Sequence, residues 1–162
     1  MEDKKNVVGI KHDTDKSNMT LIDRTILKEL DMYEYMWDKC NARIPINLVL
    51  TKATEMLDLR LYTMAASLVI VNIQDVTLEK IMFIYDKGAE KYGNHNWKMV
   101  RPVDRYLAAA YRHIKPGINE DDFGVLHLAH FCWNMFALRW FEIRGIRYEM
   151  DKVTQNSLNR EG

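Results

Sequence analysis

Cysteine is nearly absent from this chain of 162 residues. There are 2, Cys40 and Cys132, far apart and neither in a Cys-x-x-Cys pair. That excludes a disulfide framework and a zinc ribbon, and it suits a reducing compartment such as the cytoplasm. A surplus of charge is absent too, with Lys+Arg 23 against Asp+Glu 23. A nonspecific nucleic-acid binder needs a basic excess to neutralise phosphates, so that class is excluded, although a local basic pocket is not. Long hydrophobic runs are missing. The longest uncharged stretches, 61–74 and 125–138, fall short of the ~20 residues a membrane helix needs and read as buried core helices. The first residues, MEDKKNVVGIKHDTDKSN, are charged and polar, without the apolar stretch of a leader. No Walker loop, Rossmann glycine fingerprint or zinc-protease signature occurs. The only His-Asp dipeptide, His12-Asp13, sits in this polar arm.

What is present has a helical period. Residues 1–19 form a polar arm, and 20–162 read as one helical domain. Apolar spacing predicts helices over 21–37 and 46–71, with 67–73 β-branched enough to be a short strand instead. A third helix starts at Asp75 or Thr77, either a suitable N-cap, and stops at Gly93. The fourth covers 103–114, opened by Pro102 and ended by Pro116-Gly117. The fifth covers 125–143 and is almost wholly apolar for four turns. The fold class is therefore all-α, a single-domain bundle of about five helices.

Chemistry concentrates between Glu90 and Asn134, where His95, His113, His127 and His130 make up four of the 5 histidines. His127, His130 and Asn134 are spaced by three and four and share a helical stripe. Arg105 and Arg112 share a face of the preceding helix, with Ala108 and Ala109 between them and His113 beside it. Arginine forks match phosphate or carboxylate oxygens, and the small alanines leave room for a ligand. The connection through Glu120, Asp121 and Asp122 is short, so the two helices are antiparallel neighbours and both stripes can line one pocket. The bland reading is a set of structural contacts, with the histidines bonded to carbonyls and the arginines paired to Asp104, Asp122 or Glu142. For any single histidine the structural role has the higher prior; co-occurrence favours a site. His-x-x-His can also converge on a metal, with His113 or Asp122 as a third ligand.

Three motifs in order, GAEKYGNHNW (88–97), DRYLAAAYRH (104–113) and DDFGVLHLAHFCWN (121–134), resemble the dATP/dGTP diphosphohydrolase N-terminal domain, a family common in bacteriophage genomes. The likeness covers about 78–142. The opening KHDTDKSNMTLID (11–23) is similar to the family's lysine-containing start, with Asp15 and Ser17 where a small residue and a proline are usual. Residues 31–77 look like an insertion or a diverged segment. The resemblance implies hydrolysis of purine deoxynucleoside triphosphates to monophosphate and pyrophosphate. It also implies a divalent metal, Mg²⁺ or a transition metal, bridging phosphate oxygens. The paired Glu-x-x-Glu helices of related all-α pyrophosphohydrolases are absent here; Glu79, Asp86 and Glu90 lie along one helix.

The leading expectation is thus a metal-dependent nucleotide hydrolase in the cytoplasm, or in the host's if phage-encoded, with no membrane partner. His113, Asp122, His127 and His130 would be catalytic. Lys91, Asn94, Asn96, Trp97, Arg105, Arg112 and Asn134 would bind substrate. His127, His130 and Asp122 would hold the metal. A homo-oligomer fits as well, since the apolar helix 125–143 could form an interface. The alternatives are a nucleotide-sequestering protein without hydrolysis, and a helical interaction protein whose polar cluster is structural.

Overall fold

The computed structural model describes residues 22–41 and 43–146. Along them run α1 (Arg24–Lys39), α2 (Ile46–Asp58), α3 (Tyr62–Asn72), α4 (Leu78–Tyr92), a 3-10 turn (Asn96–Met99), α5 (Asp104–Ile114) and α6 (His127–Ile143). The only β pairing among the described residues is an isolated bridge between Glu120 and Leu126. The molecule is all-α. The polar arm, most of the 11–23 segment and the tail after residue 146 lie outside the described residues.

Helix ends follow local chemistry. Thr25 N–H donates to the Asp23 carboxylate at 2.8 Å, which caps α1. Thr77 Oγ1 accepts from Lys80 N–H at 3.3 Å and caps α4, and Gly93, at φ 89°, ends it. Thr77, not Asp75, is therefore the cap. Two expectations need correction. The single helix over 46–71 is two, because Arg60 turns left-handed at φ 60° and α3 folds back against α2. An arginine carries no sequence signal for that conformation, which glycine or asparagine usually supplies. The alternative strand at 67–73 is helix up to Asn72. Its β-branched residues are tolerated because α3 is buried on nearly every side, where tertiary packing outweighs helix propensity.

The core centres on α6. Leu128, Phe131, Met135, Phe136, Leu138 and Phe141 are all buried, and α6 packs on α5, α3 and α4. Most apolar side chains of this helix are buried within the chain, while Trp133 and Trp140 are half-buried and Ile143 is exposed. α1 and α2 pack against α3. The outer layer is fastened by polar links. Trp37 Nε1 donates to Ser67 Oγ at 2.8 Å. Arg139 on α6 meets Glu29 on α1 at 2.5 Å, and Thr63 Oγ1 donates to the same carboxylate at 2.9 Å. Arg139 holds the Glu29 carboxyl below the usual carboxylate range. Glu142 pairs with Arg139 at 2.6 Å, and is thus not the partner of Arg105 or Arg112. No helix among the described residues is long and apolar enough to cross a membrane.

Candidate functional site

The site is organised by the loop between α5 and α6. Asp121 is its knot. One carboxylate oxygen, Oδ1, accepts from the backbone N–H groups of Phe123 at 2.9 Å and Val125 at 3.1 Å. Asp121 N–H donates to Val125 C=O at 2.8 Å, and Gly124 takes φ 72° to complete the turn. His127 N–H donates to Asn119 C=O at 2.9 Å, so the loop delivers the first residue of α6 in a fixed position.

The second oxygen, Oδ2, lies 2.6 Å from His130 Nδ1. The approach is off the ring's N–H axis, so the contact is more Coulombic than a linear hydrogen bond. The His113 ring stacks on His130 with centroids 4.6 Å apart and planes within 10°. His113 Nδ1 and His127 Nδ1 are 2.8 Å apart, which requires one to donate and the other to accept. Burial first, then the neighbouring His130 and His127, push His113 down to about 4. Burial likewise lowers His130, against the opposing pull of Asp121. Both imidazoles are therefore neutral at pH 7.

A cavity of about 950 Å³ opens beside this stack, between α4, the 94–100 loop, α5 and α6. His113, His130 and Asn134 line it, with Lys91, Asn94, Asn96, Trp97 and Arg105. His95 and Glu90 also line it. Arg112, His127 and Asp122 do not. His127 reaches the site only through His113, Arg112 and Asp122 are exposed, and the carboxylate that meets His130 is Asp121. On α5 the cavity-facing stripe is Arg105, Ala109 and His113, spaced by four, rather than the seven-residue pair Arg105 and Arg112. Neither arginine forms an ion pair with a described residue. Sequence reasoning named Trp97 but missed Tyr85, Tyr106 and Trp133, which build the aromatic wall around it. Trp97 meets Tyr85 and Trp133 edge-on, at 5.7 and 6.1 Å between centroids, and Tyr106 O–H donates to Trp97 C=O at 2.7 Å. The acidic loop before Gly124 was legible as a turn, but nothing in the sequence set Asp121 apart from Asp122. The aromatic wall had no sequence signal, because Tyr85, Trp97 and Trp133 meet only in the folded chain.

A family model described as dATP/dGTP diphosphohydrolase, N-terminal, matches residues 65–152. The chain belongs to that family. No curated protein and no solved structure matches it. The family match takes in α4, α5, α6 and every residue that lines the cavity, and leaves α1 and α2 outside. The matched segment thus surrounds the histidine stack, and the first two helices pack outside it against α3. The resemblance implies a divalent metal, and Mg²⁺ is commonly held by one or two carboxylates together with substrate phosphates. Among the described residues no three His, Cys, Asp or Glu side chains form a group that could hold a metal ion. His113, His127, His130 and Asp121 engage one another instead.

Proposed function

We propose that the cavity binds a purine deoxynucleoside triphosphate and that the chain hydrolyses it to monophosphate and pyrophosphate. The observation that carries this reading is a neutral, carboxylate-backed histidine on the wall of a cavity that has an aromatic side and a cationic rim. Tyr85, Trp97 and Trp133 offer faces and edges on which a base can stack. Lys87, Lys91 and Arg105 supply positive charge for phosphate oxygens, and Arg105 pairs with no carboxylate among the described residues.

In this reading Asp121 keeps the His130 proton on Nδ1, so Nε2 is the basic nitrogen. It takes a proton from water as the water oxygen bonds to the α-phosphorus, and the bond from that phosphorus to the bridging oxygen breaks, releasing pyrophosphate. Asp121 then stabilises the imidazolium, as a buried carboxylate does for a catalytic histidine elsewhere. His113 confines the His130 ring by stacking. The chemistry assigned to this chain's own side chains is binding, orientation and proton transfer, with a metal set not among them.

A second reading, capture of the nucleotide without hydrolysis, uses the same aromatic side and cationic rim. Incubation with dATP, dGTP and their ribose counterparts, with Mg²⁺ and with chelator, separates the two. Pyrophosphate released by the wild type and lost in His130→Ala supports hydrolysis. Tight binding with no product supports capture. A thermal-shift screen in which no nucleotide raises the melting temperature refutes both.

A further inference from the structure

Asn134 is a buried polar side chain that the core does not explain. It is 2% exposed, on a helix whose neighbours Phe131, Met135 and Leu138 are all apolar. Its Nδ2 donates to the His130 backbone C=O at 2.7 Å. That bond fixes the amide's orientation, because a flip would set oxygen against oxygen. The Oδ1 atom is then an acceptor, and it is buried with no hydrogen-bond partner. The residue beside it, Trp133, has a buried indole Nε1–H that also lacks one. Both residues line the cavity. A buried acceptor without a donor is destabilising, and leucine would fill the same space without that penalty.

We propose that Asn134 is a specificity-determining residue, whose Oδ1 accepts a hydrogen bond from the donor-bearing edge of a purine base stacked against Trp133. The inference rests on the nucleotide reading above and assigns its base selection. Oδ1 is left without a partner on a residue that lines the cavity beside Trp133, and a donor on a flat ring packed along the aromatic wall would supply one once the side chain turns toward it. A purine amino group or ring N–H meets that need, and a base without any N–H donor leaves the acceptor unpaired. Discrimination built this way is strong, because the wrong ligand strands a polar group that the site has already desolvated.

The test compares wild-type affinity for dATP, dGTP and the triphosphate of unsubstituted purine 2′-deoxyriboside, which keeps the ring and loses every donor on it. The donor-free analogue should bind about ten-fold or more weakly than the tighter of the other two. In Asn134→Leu the three should fall within about three-fold of one another, with the free protein melting no lower than wild type. A purely structural asparagine gives the opposite pattern, with lower melting and unchanged preference. Equal wild-type affinity for all three triphosphates overturns the role of Asn134 and leaves the nucleotide pocket standing. Absence of binding by any triphosphate overturns both. The wild-type series is decisive by itself where the variant fails to fold.

Discussion

Replacing Asp121 separates its two oxygens. In Asp121→Asn the side-chain carbonyl can still accept from Phe123 N–H and Val125 N–H, so the loop keeps its knot. The other atom becomes an NH₂ group facing His130 Nδ1. That donor forces Nδ1 to accept and moves the ring proton to Nε2, the wrong tautomer for a base. Stability should change by about 1 kcal/mol or less, because only one contact loses its charge. Pyrophosphate release should fall at least ~100-fold, the lower end of what general-base loss costs. Asp121→Ala removes both loop bonds. Asp121 is 9% exposed, and Val125 is buried while Phe123 is exposed, so one donor is stranded and the other rehydrates. The expected loss is about 2–3 kcal/mol, or ~4–12 °C of melting temperature for a chain of this size. Nitrogen-15 spectra of the imidazoles report the tautomer, and urea unfolding with a pyrophosphate assay reports the rest. Asp121→Asn with wild-type turnover and an unmoved His130 spectrum would refute the positioning role. Asp121→Ala with unchanged stability would refute the knot.

The His113 resonance should titrate near 4 instead of the ordinary 6.5. The unfolded chain then binds this proton first as pH drops, so folding stability should fall with pH across the window from about 6.5 to 4, and His113→Phe should flatten that slope. A midpoint above 6 in the NMR titration contradicts the buried, repelled stack. Glu29, lowered chiefly by its bonds to Arg139, gives stability that is present above its unfolded value and lost as pH falls through its folded one. Glu29→Ala should therefore cost about 1–3 kcal/mol at pH 7 and less at pH 3, measured by denaturant unfolding. Arg105→Ala should weaken triphosphate binding about ten-fold with no change in melting temperature, whereas Arg112→Ala, off the cavity wall, should weaken it less. A larger loss in Arg112→Ala by calorimetry would restore the seven-residue face as the binding stripe.

What the sequence by itself determined was local and periodic. The 3.6-residue repeat put α1, α4, α5 and α6 where they are, within a few residues, because caps such as Thr77 and stops such as Gly93 act over one turn of chain. The motifs around 88–134 identified the family, since their order and spacing survive without any knowledge of contacts. His113, His127 and His130 were visible as a group because two short-spaced elements joined by a short loop must be neighbours. The tertiary structure alone decided which polar groups face one another. Asp121 and Asp122 are equivalent in sequence, yet only Asp121 is held by its own loop's N–H groups and turned to His130. Arg105 and Arg112 share an ideal helical face, yet the cavity lies some way round that face and takes Arg105, Ala109 and His113. The break at Arg60 and the aromatic wall of Tyr85, Trp97 and Trp133 follow the same logic. They arise from packing between segments distant in the chain, and a pattern that repeats along one helix has no means of recording what lies across from it.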